Sequence, residues 1–280
     1  MSDPDTIEGD VYVSPRYLAG MPGVDEVALK PFTDSNWPSQ HVDDDLGRTV
    51  YVSPDSRLRV GFFGDDYDLW NIAAYADPFG PRSWAATFNQ NTPPELVAGF
   101  TQALVQDYPD GNSRFLARPP LTWHDYVRPL FTAGWAHGAA ERGTVEIIAP
   151  DKQAGAFIDL RRHDPDDETV TLWAGPPGWA TRAEAAFTAN TPAHLIAATA
   201  AAFTDSAPVA RYRECLQPRL AALARLTPVQ PPEPPAPTPL DVRRAAARRR
   251  PPTLGTSSVP RWSTTTLPPA PAGVRSSPRR

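Results

Sequence analysis

Residues 88–104, FNQNTPPELVAGFTQAL, return at 187–203 as FTANTPAHLIAATAAAF. Phe88 falls on Phe187, Asn91-Thr92-Pro93 on Asn190-Thr191-Pro192, Leu96 on Leu195 and Leu104 on Phe203, at a constant separation of 99 residues. Each copy reads as a helix start followed by a helix. Thr92 stands at the N-cap with proline at N1, and Glu95 stands at N3, where it suits the positive end of the helix dipole. Leu96, Phe100 and Leu104 then line one face at i, i+4 and i+8, as Leu195, Thr199 and Phe203 do in the second copy.

Working outward, the match extends upstream. Phe32-Thr33 pairs with Phe131-Thr132, Trp37 with Trp135, Pro54-Asp55 with Pro150-Asp151, and Phe62 with Phe157. The offset starts at 99, drifts to 95 at Phe62 and returns to 99 from Phe88, as small insertions in loops would produce. A period of this length indicates tandem copies of one small domain.

Within each copy a short helix precedes the tryptophan; in the second it spans 123–133, with Thr122 and Asp125 spaced as a capping box. Strands rich in β-branched residues follow at 48–53 and 144–149. Pro-Asp makes a turn into strands at 58–62 and 156–160. Third strands lie at 69–75 and 170–173, and Pro-Gly turns lead to fourth strands ending at Phe88 and Phe187. The expected fold is α+β: two tandem α-β-β-β-β-α units with antiparallel sheets, over 11–115 and 120–227. A last helix is expected at about 212–226.

The stretch Val13-Ser14-Pro15-Arg16-Tyr17-Leu18-Ala19-Gly20 resembles the N-terminal signature of the SPDY domain family. Ser53-Pro54-Asp55, Trp70, Ile72, Ala74-Tyr75, Asp77-Pro78-Phe79-Gly80, Trp84, Phe88 and Thr92-Pro93 resemble that family's repeat. The resemblance covers roughly 11–210 and implies a domain of unknown function, found chiefly in actinomycetes and usually in two copies per chain. The second copy departs from it at Ala149 and at Gly175-Pro176-Pro177-Gly178, so the first copy is the better place for any activity. The family carries no known catalytic residues to transfer.

Proline takes 35 of the 280 residues, against a usual share of about 5 per cent, and fourteen of those prolines lie beyond 227. Residues 228–280 also hold nine Arg against Glu233 and Asp241, a net charge of +7, which leaves residues 1–227 at −12. Proline removes amide donors and fixes φ, so this segment reads as a disordered, extended tail. Its basic runs, Arg243-Arg244 and Arg248-Arg249-Arg250, suit an anionic partner such as nucleic acid. The acidic body does not.

One cysteine, Cys215, permits no intrachain disulfide, and no secretory signal is evident; both point to the cytoplasm. No apolar run approaches the ~20 residues of a membrane span. The five histidines form no metal-binding pair, so no metal or cofactor is expected. The hydrolase elbow and the Gly-rich phosphate loops are missing. His194 falls where the first copy has Glu95, at N3 of a helix, and reads as a surface capping residue; the acidic loops 43–45, 65–68 and 164–168 read as solvated turns.

Seven of the eight tryptophans lie in the body and are chiefly core. Trp84 and Trp179, beside Pro-Gly turns, are the candidate exposed anchors for a partner. These readings favour a non-enzymatic protein-binding or adaptor module. The alternative is a nucleic-acid-associated protein acting through the tail. An unrecognised hydrolase would require a pocket with convergent Asp, His and Arg.

Overall fold

In the computed structural model the described residues are 9–20, 26–43, 48–63, 69–108, 113–117, 122–139, 141–161, 164–178 and 181–229, with 238, 240–241 and 243–245 beyond them. Met1–Val229 forms one compact unit and Gln230–Arg280 a second. The first opens with β1 (Asp10–Ser14) and α1 (Glu26–Asp34). Five strands follow: β2 (Ser39–Asp43), β3 (Arg48–Val52), β4 (Leu58–Phe62), β5 (Trp70–Tyr75) and β6 (Arg82–Phe88), closed by α2 (Pro94–Gln106). The same order then recurs as α3 (His124–Thr132), β7 (Ala136–His137), β8 (Thr144–Ile148), β9 (Ala154–Asp159), β10 (Glu168–Ala174), β11 (Ala183–Thr188) and α4 (Ala193–Thr204).

Each half therefore holds five strands, one more than its sequence suggests. β2 is the polar Ser39-Gln40-His41-Val42-Asp43 and β7 only two residues, so neither carries the apolar alternation that marks a strand. Both lie at sheet edges, where polar residues are favoured.

The strands form one antiparallel sheet in the order β2-β3-β4-β5-β6-β11-β10-β9-β8-β7. The halves join through β6 and β11, with Ala185 opposite Phe88 and Phe187 opposite Ala86. Helices pack in a single layer, α1 on α2, α2 on α4 and α4 on α3. Their large buried side chains, among them Phe32, Leu96, Phe100, Leu130, Leu195 and Phe203, join one core with Val60, Ile72, Ala86, Phe187, Val170 and Ile158 from the sheet. At the seam, Phe88, Phe100 and Phe187 contact one another with centroids 5.7–5.9 Å apart. Burial on this scale, at roughly 1.5–3 kcal/mol per large apolar side chain, is what holds helices to sheet.

Backbone hydrogen bonds correct the alignment of the halves. Trp37 N–H donates to Phe32 O and Trp135 N–H to Leu130 O, so Phe32 corresponds to Leu130 and not to Phe131. Ser53 N–H donates to Leu58 O and Ala149 N–H to Ala154 O, which sets Phe62 against Ile158. Phe157, matched to Phe62 by letter alone, points to the other face and is 41% exposed.

The helix expected at about 212–226 is broken into other elements. The chain runs as β12 (Val209–Tyr212), a 3-10 turn at Arg213–Cys215, α5 (Pro218–Ala221) and β13 (Arg225–Pro228). Pro218 lacks an amide donor and starts a new short helix instead of continuing one. β12 and β13 flank β1 in a separate three-stranded sheet, which buries Val11, Val13, Val209 and Leu216.

Candidate interaction surface

One relation between the halves explains the repeated Asn-Thr-Pro. Thr92 does not cap α2: its hydroxyl donates to Glu184 O across the seam at 3.0 Å and lies 3.0 Å from Asn89 Oδ1. Glu184 N–H donates to the same Asn89 Oδ1, and Asn89 N–H to Glu184 O. In the other direction Ala85 N–H donates to Thr188 Oγ1 at 2.9 Å, and the Thr191 hydroxyl to Ala85 O at 3.2 Å. Only three residue pairs form the ladder between β6 and β11, and these side chains satisfy the backbone beyond it.

The helix starts are tied in unlike ways. Glu95, at the second residue of α2, forms a bidentate pair with the buried Arg211 of β12, at 2.5 and 2.8 Å. His194, at the second residue of α4 and not its third, faces Asp107 through Nε2, with Arg114 at 3.6 Å from the other carboxylate oxygen. Asp107 is 4% exposed, so His194 is a partner to a buried carboxylate and not a solvated surface group. Asp, His and Arg thus converge at the end of α2. The grooves in the helix layer are lined elsewhere: one of about 500 Å³ by Arg16, Glu95, Gly99, Ala198, Ala202 and Asp205, the other by Val27, Lys30, Pro31 and Val105. No cluster of three metal-ligating side chains occurs among the described residues.

The helix layer covers one face of the sheet. On the opposite face Arg59, Asn71 and Phe157 are exposed, and Tyr75, Thr87, Thr171, Trp173 and Ala186 are half-buried. Aromatic rings lie flat on glycines here. A Cβ on Gly61 would sit 2.5 Å from the Phe63 ring, and one on Gly155 would sit 2.5 Å from the Trp173 ring. Arg182 covers Trp173 at 4.1 Å from the ring centroid. The halves share their core positions but not this face: Arg59 and Gly61 of β4 correspond to Gly155 and Phe157 of β9.

The β5–β6 turn rises from this sheet and carries Phe79, 99% exposed. It is held from several sides. Phe79 N–H donates to Asp77 Oδ1 at 3.0 Å, and Gly80 N–H to Asp77 O at 2.9 Å. Arg59 donates to Pro78 O at 3.0 Å while its guanidinium stacks 4.4 Å from the Tyr75 centroid. Ala76 N–H closes the base on Ser83 Oγ. Arg82 ties the turn to the β9–β10 loop by donating to Asp166 at 2.8 Å. The loop segment 164–168 is exposed and carries Asp164, Asp166, Asp167 and Glu168.

The two tryptophans singled out as anchors fare differently. Trp84 is 1% exposed; its Nε1 donates to Phe115 O at 2.6 Å and its ring packs on Phe100, so it is a core residue. Register explains this, because Trp84 sits opposite Ala74 on the helix-facing side of β6. Trp179 lies outside the described residues. Arg243 and Arg244 are exposed on helical backbone, and Arg248, Arg249 and Arg250 lie outside the described residues. Phe79 is the exposed aromatic that the sequence reading did not single out; Asp77, which accepts its amide, marks the turn in the sequence.

The described residues thus form a two-layer α+β protein with an open sheet face and an exposed aromatic turn. Residues 52–110, from β3 past the end of α2, match the SPDY family model, a domain of unknown function (DUF317). The Phe79 turn falls inside that match. No curated protein and no solved structure matches the chain.

Proposed function

We propose that this protein is a non-enzymatic binding or adaptor module that docks a partner protein on the open sheet face, with Phe79 as anchor. The observation that carries the reading is a fully solvent-exposed phenylalanine on a turn fixed by hydrogen bonds to Asp77, Arg59 and Ser83. A turn whose backbone is already held loses little further backbone freedom on binding, and buried aromatic anchors dominate interface energetics. The matched hydrogen bonds of the two halves favour a duplicated folding unit whose open faces have diverged. The single exposed Cys215 suits a reducing cytoplasm. No helix among the described residues is long and apolar enough to cross a membrane.

A photo-crosslinking amino acid at position 79 in the full chain tests this reading. It should yield one dominant protein adduct in host extract, and the same probe at the exposed Val27 of α1, in the helix layer, should not. Equal or absent adducts at the two positions would remove the proposal.

A second reading rests on the tail, where nine Arg face two acidic residues over 228–280. Here the chain binds nucleic acid through these arginines. Affinity for duplex DNA should then fall steeply with salt and disappear on deletion of 228–280.

A further inference from the structure

We propose that the Phe79 turn receives a cationic segment of its partner, an Arg- or Lys-bearing stretch whose positive group lies over the Phe79 ring. This rests on the binding-module reading and names the partner's chemistry. The argument is charge complementarity around an exposed aromatic. Asp77 forms the turn itself, and Arg82 draws the β9–β10 loop alongside through Asp166. That loop carries Asp164, Asp166, Asp167 and Glu168, so with Asp77 five carboxylates lie on the turn and on the loop tied to it, and Arg59 and Arg82 are the guanidiniums bonded to the turn and to that loop. Both of those arginines serve the turn: Arg59 is stacked on Tyr75 and bonded to Pro78 O, and Arg82 is paired with Asp166.

An aromatic face flanked by carboxylates attracts a cation twice, through the ring quadrupole and through Coulomb interaction. The same carboxylates repel a phosphate backbone or an anionic lipid surface. The flanking prolines, Pro78 and Pro81, keep the tip stiff and offer apolar contact to an arginine stem.

The test uses the full chain with 4-fluorophenylalanine at position 79 and three defined decapeptides: Arg/Ala alternating, Glu/Ala alternating, and Ser/Ala alternating. The Arg peptide should shift the fluorine resonance, and its apparent affinity should fall at least about threefold between roughly 50 and 300 mM salt. Asp164→Asn with Asp166→Asn should weaken it further at low salt, and Asp34→Asn on α1 should not.

A shift by the Glu peptide equal to that by the Arg peptide would overturn the proposal. So would no shift by any peptide, or a shift produced by phosphatidylserine vesicles instead. A dominant crosslink at position 79 with no response to the Arg peptide would reject the cationic partner and leave the binding-module reading standing.

Discussion

The hydroxyl of Tyr17 donates to Asp151 Oδ2 at 2.5 Å across 134 positions of sequence. In the first half the Pro-Asp turn is met in a parallel way: Asp55 N–H donates to the Tyr108 hydroxyl at 3.2 Å. Each tyrosine packs edge-on against the tryptophan of its half, Tyr17 on Trp135 and Tyr108 on Trp37, with centroids 6.2 and 5.2 Å apart. Tyr108 follows the helix of its own half, whereas Tyr17 comes from the segment after β1. The segment after β1 thus supplies to the second half what the first half supplies for itself.

Tyr17 should therefore link stability to alkaline pH. Burial, and then the hydrogen bond and charge of Asp151, push its phenol well above the ordinary value near 10. The folded state favours the neutral phenol, so its contribution is whole below pH 10 and is lost as pH rises beyond. Tyr17→Phe should cost about 1 kcal/mol near pH 8. It should also flatten the fall in urea midpoint between about pH 8 and 11. Identical slopes for the two proteins would exclude this linkage.

Thr92 offers a sharper distinction, since sequence placed it as a helix cap and the structure places it on the seam. Thr92→Ala removes one of two donors to Glu184 O, which keeps Asn89 N–H, at a cost of about 0.5–1.5 kcal/mol. Thr92→Ser keeps the hydroxyl and should recover most of that. Chemical denaturation reads the cost. A seam bond predicts that the helical circular dichroism of the folded variant is unchanged, and Thr191→Ala should behave alike through Ala85 O.

These cases show what the letters carried. The α+β class, strands β3 to β6 and β8 to β11, and both long helices were legible because β-branched alternation and i, i+4 spacing are local properties. Register was not. Matching Phe to Phe set Phe62 against Phe157, yet a shift of one residue along a strand moves a side chain to the opposite face. Trp84 misled for the same reason, because nearness to a Pro-Gly turn does not say which face a strand residue takes. β12 and β13 pair with a strand some 200 positions away, and nothing local in 209–228 announces that partner.

At Gly99 α2 passes close to α4. A Cβ there would lie 2.8 Å from Ala202 Cβ and 3.0 Å from Ala198 O. Alanine in a helix interior is normally favoured over glycine by about 1 kcal/mol. Gly99→Ala should instead lower the thermal midpoint, because the helices must separate above a close-packed core. Pairing it with Ala202→Gly should restore part of the loss; a midpoint above wild type for Gly99→Ala alone would contradict the close approach.

Phe79 and Trp84 make the last comparison, two aromatics five residues apart with opposite duties. Trp84 fills the core, and Trp84→Ala should cost about 3–5 kcal/mol, with the carbonyl of Phe115 left unbonded in addition. Phe79 touches solvent on every side, so Phe79→Ala should stay within about 0.5 kcal/mol of wild type in the same urea titration. Its effect belongs to binding: truncating an anchor of this kind costs 2 kcal/mol or more of partner affinity, about thirtyfold, at unchanged stability. A Phe79→Ala protein that lost stability by more than about 1 kcal/mol while keeping its partner would make the turn a structural prop and leave the open face without its anchor.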